Sequence, residues 1–350
     1  MHPFRNLLLI SLGREPSFRK DPTPGEWLMM FRMAQIQALL GITWEGILRL
    51  PESQRPPLDL LDRWERLTGK IAGIYKTHLA RVKDLEDILA ARNLHGCILK
   101  GTGLSALYPV PERRMCGDID LWLEGTHKSI MASLGADYPL SGILYQECKA
   151  DIFPDVEVEV HFHPSKMYNP FLNARLQRFF QEHSPIRPDS ALTYPDLRFH
   201  AVYCMAHMFH HYLEGGLGLR QMMDYYYILR ALDPADRQPV MDALRHLGMG
   251  KFTAAMMESV RFNFGLEEEY LLCAPDKKRG EKLMLDAVRM GNFGVLDKRN
   301  YGRKGETRLA RFFRKNGRVM SHLLLYPREV IWAPYARVRH FIWRKLNGYQ

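Results

Sequence analysis

Residues 97–124 read CILKGTGLSALYPVPERRMCGDIDLWLE, and the rest of the chain is read outward from them. The apolar run Cys97-Ile98-Leu99 has strand character and meets the turn Lys100-Gly101-Thr102-Gly103. A helix-like segment, Leu104 to Tyr108, follows and is stopped by Pro109 and Pro111. Gly117-Asp118-Ile119-Asp120-Leu121-Trp122-Leu123 then alternates as a strand does. Successive side chains of a strand face opposite ways, so Asp118 and Asp120 share one face and Ile119, Leu121 and Leu123 the other. Two carboxylates side by side repel unless a cation sits between them, and hard oxygen ligands suit Mg²⁺. Upstream, a glycine-rich turn that enters a helix leaves backbone N–H groups free to cradle a phosphate.

This order of strand, glycine-rich turn, helix and Asp-x-Asp strand resembles the minimal nucleotidyltransferases of the DNA polymerase β superfamily. Lys100-Gly101, Leu107-Tyr108-Pro109 and Arg114 ahead of Asp118-Ile119-Asp120 resemble, more narrowly, an uncharacterised bacterial nucleotidyltransferase family. The resemblance implies Mg²⁺, one or two ions, and a nucleoside triphosphate such as ATP as substrate. It implies that Gly101, Thr102 and Gly103 bind the triphosphate through backbone N–H groups, with Lys100 and Arg114 offsetting phosphate charge. Lys100-Gly101 departs from the Gly-Ser common in the wider superfamily, and Thr102 supplies the hydroxyl instead.

Val156 to His163 alternates strictly, with Glu157, Glu159, His161 and His163 on one face and Val156, Val158, Val160 and Phe162 on the other. Such a segment can be no more than a half-buried strand with a polar face. The resembled family carries a Glu-h-His motif that Glu159-Val160-His161 matches, which implies Glu159 as the third acid, with Glu157 as the fallback. His161 then either contacts the ligand shell or makes a structural hydrogen bond.

A further family signature resembles His207-Met208-Phe209-His210-His211 followed by Gly216-Leu217-Gly218-Leu219-Arg220-Gln221 and Asp224. Arg220 lies in the first turn of a helix, where the helix dipole disfavours a cation, so it either faces an anion or pairs with Asp224 one turn on. The histidine spacing could hold a metal, but HExxH is not present; the fuller expectation is that one histidine, His210, reaches a cleft and contacts substrate.

The totals constrain the rest. A chain of 350 residues, 46% apolar and 25% charged, builds a buried core in one large domain or two ordinary ones. Five scattered cysteines without a CxxC pair support neither a zinc knuckle nor a disulfide framework. The apolar run Asn6–Leu12 is too short to span a bilayer and lacks a cleavage site, so the expectation is a cytoplasmic protein with no transmembrane segment. The net charge of +10 is local: residues 298–350 hold 14 Lys/Arg against Glu306 and Glu329, a balance of +12. Bases mix there with Phe312, Phe313, Trp332, Tyr335, Phe341 and Trp343. Such a segment can be solvated amphipathic helices, or can meet RNA or an anionic membrane surface.

The expected fold is α+β: a nucleotidyltransferase-type mixed sheet with flanking helices, N-terminal helices and a C-terminal helical bundle. The expected divisions are an N-terminal helical region at 1–94, a catalytic core at 95–190, a helical acceptor-side domain at 191–297 and the basic aromatic tail at 298–350. Residues 1–22 give mixed signals and read as loosely held; helices are expected from Glu26 to Leu40, Thr43 to Leu50, Leu58 to Asn93, Phe199 to Leu213, Leu219 to Leu232, Pro239 to Phe264 and Glu281 to Met290. Additional strands are expected at Ile143–Tyr145 and Ile152–Phe153. The functional expectation is transfer of a nucleoside monophosphate to an unknown acceptor, with Asp118, Asp120 and Glu159 as catalytic metal ligands and His161, His210, Arg220 and Asp224 on the substrate side. The alternatives are a toxin-like transferase and a non-catalytic relative that binds RNA or an anionic surface.

Overall fold

The computed structural model describes residues 2–302 and 305–349. Six strands form one mixed sheet: β1 Gly96–Ile98, β2 Ile119–Leu123, β3 Leu140–Ser141, β4 Glu147–Ala150, β5 Val158–His161 and β6 Leu192–Thr193, in the order β3-β4-β5-β2-β1-β6. β2 runs parallel to β5 and β1 to β6, while β1–β2, β3–β4 and β4–β5 are antiparallel. The fold is thus α+β, with helices before, around and after the sheet.

The alternation read in β2 and β5 sorts the two faces. Ile119, Leu121, Leu123, Val158 and Val160 point to one side and pack on Val82, Leu85 and Leu89 of the long helix Leu58–Ala91 and on Ile130 and Leu134 of helix His127–Gly135. Thr126 starts the latter helix by accepting the Ser129 N–H at 3.1 Å, as its N-cap position demands. On the other face Trp122 stacks on Phe199 with ring centroids 5.9 Å apart. Phe199 lies in the first turn of the histidine helix, Leu197–Glu214, which crosses this face and brings His207, His210 and His211 to the same cleft as Lys100, Asp118 and Glu159.

Several expectations need correction. Residues 2–11 are not loose: they form the helix His2–Ser11, with Phe4 and Leu7–Ile10 buried. Ile143–Tyr145 and Ile152–Phe153 are not strands. The strands lie at Leu140–Ser141 and Glu147–Ala150, where pairing with β5 decides over the low strand propensity of Glu, Lys and Ala. The expected helix from Pro239 to Phe264 is two, Pro234–His246 and Gly250–Phe264, broken at Gly248 with φ +75°. The histidine helix, read as amphipathic, is buried on almost all sides, because it is packed between the sheet and other helices. Helix Pro170–Glu182 and strand β6 had no counterpart in the sequence reading.

The basic tail folds onto the body through helices Arg308–Met320, Pro327–Val330 and Ala333–Leu346. Val319, Tyr326, Val330 and Ala333 join the main hydrophobic cluster that also contains Phe4, Trp64, Phe199 and Phe252.

Candidate active site

The parallel register of β2 and β5 sets Asp120 beside Glu159 and Trp122 beside His161. Asp118, just ahead of β2, is half-buried, as is Glu159, and Glu157 at the strand's start is exposed. Asp120, Glu159 and His161 can each offer a ligand atom within 4.8 Å of the others, and so can Asp118, Glu157 and Glu159. Asp118 and Glu159 line a cleft of about 490 Å³ together with Lys100, Glu147, His207, His210 and His211, while Asp120 and His161 are buried behind them.

Asp120 is the buried centre. Its Oδ1 accepts from Lys100 Nζ at 2.9 Å and from His161 Nε2 at 3.0 Å. Burial would raise the Asp120 pKa, but the Lys100 charge and the His161 hydrogen bond overcome it and hold the carboxyl well below its usual range. Lys100 behaves in the same way: burial works against its charge, yet Asp120 and Asp118 outweigh burial and its pKa is raised. Lys100 also donates to His207 Nε2 at 2.9 Å, and burial, then Lys100 itself, keeps His207 neutral. His161, also buried, is raised by Asp120 and presents Nδ1 to Glu147 at 3.6 Å. His161 thus makes a hydrogen bond to Asp120 and also stands among the donors that could surround a metal.

Glu159 is where the crowding of negative charge is felt. Burial, Asp118, Glu147 and Asp120 together push it up to about 7. A divalent cation would relieve that repulsion, so the donor set fits Mg²⁺.

The glycine turn is short. Gly101 has φ +65°, and a single helical turn, Thr102–Ser105, follows. Thr102 Oγ1 is buried without a partner. Arg114 differs from expectation: it is 3% exposed and grips Asp224 through two bonds of 2.7 and 2.9 Å. A third bond, 3.1 Å to Gly101 O, ties the turn to this pair. Tyr108 donates to Asp224 at 2.6 Å. Asp224 therefore pairs with Arg114 and not with Arg220, which donates to Met115 O at 2.8 Å beside the Phe293 ring. Arg114 and Asp224 hold the turn in position from beneath rather than reaching into the cleft.

His210 and His211 both line the cleft, and burial keeps them neutral, at about 3 and about 4. Among the described residues the histidines 207, 210 and 211 do not converge as a three-ligand metal site. Sequence reasoning missed Glu147, Lys166, Glu214, Lys315 and Arg337, which complete the cleft wall. Glu147 is placed there by β4, which sets it opposite His161, a pairing that the local sequence does not announce.

A family model for uncharacterised nucleotidyltransferases matches residues 23–265. The chain belongs to this nucleotidyltransferase family. No curated relative and no solved structure matches it. The match includes the glycine turn, both carboxylate strands, the histidine helix and the Gly-Leu-Gly-Leu-Arg segment. At the level of class the protein is a transferase.

Proposed function

We propose that this nucleotidyltransferase moves a nucleoside monophosphate from a nucleoside triphosphate to an acceptor hydroxyl in a Mg²⁺-dependent reaction. The acceptor oxygen bonds to the α-phosphorus, the bond to the pyrophosphate oxygen breaks, and the hydroxyl proton passes to solvent. The observation that carries this reading is the β2–β5 register, which sets buried Asp120 beside Glu159, with Asp118 and Glu159 at the wall of one cleft. Held by Asp118, Glu159 and the free Oδ2 of Asp120, one or two Mg²⁺ ions would neutralise the phosphates and acidify the acceptor hydroxyl.

The chain's own residues supply the positioning. His161 and Lys100 fix the Asp120 carboxylate so that only Oδ2 is left without a hydrogen bond. Lys100 brings positive charge to the edge of the cleft, and the Arg114–Asp224 pair fixes the turn that follows Lys100. Chemistry of this kind depends on positioning and electrostatics more than on a reactive side chain.

The test is incubation with each labelled nucleoside triphosphate and Mg²⁺, followed by mass spectrometry for a nucleotide adduct on protein, RNA or small molecules. Asp118→Asn and Glu159→Gln should each lower transfer by about a hundredfold or more without loss of folding. Full activity in either variant would refute the assignment. An adduct on RNA would identify the toxin-like form of the activity.

A further inference from the structure

Past Glu214 and Arg337 the cleft continues into a second chamber of about 430 Å³, which shares Lys166, Glu214, Lys315, Arg337 and His340 with it. One wall of this chamber comes from helices Arg308–Met320 and Ala333–Leu346, which lie outside the matched residues 23–265. Lys166, Arg308, Lys315 and Arg339 line it, and among the described residues none of the four has a carboxylate partner. Arg337 and Arg311, which also line it, are the exceptions, bound to Glu214 at 2.8 Å and to Glu306 at 3.6 Å.

Cations gathered around one hollow repel each other, and helices with solvated charges would spread them outward. Helix Ala333–Leu346 keeps them together at the chamber, although Arg339, like Lys315 and Arg308 on the other helix, is an exposed side chain. Its outer stripe is Tyr335, Val338, Ile342 and Leu346, all exposed, while Arg337, Arg339 and His340 border the chamber. Aromatic rings stand among the charges: Arg339 lies over the Tyr145 ring at 5.7 Å, and His340 stacks on Trp343. A hollow of this size holds a small ligand, whereas a nucleic-acid strand needs an open groove.

We infer that the chamber binds the phosphate groups of a small ligand through Lys166, Lys315 and Arg339 and delivers that ligand to the carboxylate cluster. The phosphates belong either to the triphosphate of the donor or to a phosphorylated acceptor. The ligand's part in catalysis rests on the transferase reading; its binding does not.

Titration calorimetry on the full chain would use inorganic tripolyphosphate, ATP, ribose 5-phosphate and a short RNA as probes, without added metal. The Lys315→Met/Arg339→Gln double variant breaks no ion pair and should keep the wild-type melting temperature. It should weaken phosphate binding by about tenfold or more. Tripolyphosphate and ATP binding without ribose 5-phosphate assigns the chamber to the donor, and the converse assigns it to the acceptor. Phosphate probes that bind the double variant as tightly as wild type would overturn the inference, as would an RNA that binds where no small phosphate does. Asp118→Asn separates the two claims: it should bind the probes normally while losing transfer. If it keeps transfer, the metal-site reading falls and the chamber stands.

Discussion

At the scale of single residues the site is arranged around Lys100. Its ammonium occupies the position where a cation is needed to hold Asp120 ionised in a buried setting, with His161 closing the other side. The two aspartates of one motif therefore have different tolerances. Asp120→Asn leaves Lys100 largely buried without its carboxylate and should cost on the order of 2–3 kcal/mol of stability. Asp118→Asn, half-exposed and outside this pair, should cost little. Adding Lys100→Met to Asp120→Asn should return part of the loss, because the unpaired charge goes with it. Urea denaturation of the four proteins checks this; equal destabilisation by both aspartate changes would contradict it. The pairing of Asp118 with Asp120 on one strand face was legible from alternation alone. The capture of Asp120 by Lys100 was not, because it depends on how far a flexible side chain turns back over a strand end.

At the scale of elements, the short helix Pro327–Val330 is fastened to the start of helix Pro170–Glu182 by one carboxylate. Glu329, 4% exposed, accepts the backbone N–H of Tyr168 and that of Asn169, and Asn169 Nδ2 returns a 2.9 Å bond to Arg328 O. Burial outweighs these two N–H bonds and pushes Glu329 up to about 7 from 4.5. An acid raised in the folded state binds its proton more tightly there than in the unfolded chain. Its contribution is therefore neutral below pH 4.5, declines as pH rises toward about 7, and stays low above that. The cost above pH 7 is about 3 kcal/mol. Glu329→Gln should remove that slope and be the more stable protein at pH 8, and unfolding curves from pH 5 to pH 8 would show it. A slope unchanged by the substitution would mean that Glu329 is ionised throughout.

The elements also show which signals a sequence carries. Long periodic helices and the β2 and β5 alternation were readable because burial on one face writes itself into spacing. Strand β4 was not, since Glu147-Cys148-Lys149-Ala150 has little intrinsic strand character and owes its form to β5. The Gly216-Leu217-Gly218 motif was noticed without its cause. A Cβ on Gly216 would lie 2.8 Å from Gly294 Cα, and one on Gly218 2.7 Å from Asn292 Cα, so the glycines admit a loop from 74 to 78 residues further along the chain. No local pattern announces such a contact. The same holds for Arg114, whose partner, Asp224, lies 110 residues away.

At the scale of the whole molecule, family resemblance and physical unit have different limits. The match ends at residue 265, but the hydrophobic cluster runs from Phe4 to Ala333. Truncation after residue 297 would uncover the sides of the histidine helix that Val319 and Tyr326 help to seal. It would also remove one wall of the second chamber. Such a protein should aggregate or melt far below the full chain, as light scattering and a thermal scan would reveal; a truncated chain with an unchanged melting temperature would show the tail to be an appendage. There is a consequence in time as well. Residues 308–346 finish a cavity whose opposite wall is drawn from residues 145–173, so in a chain still being synthesised the carboxylate strands are made well before that cavity can close.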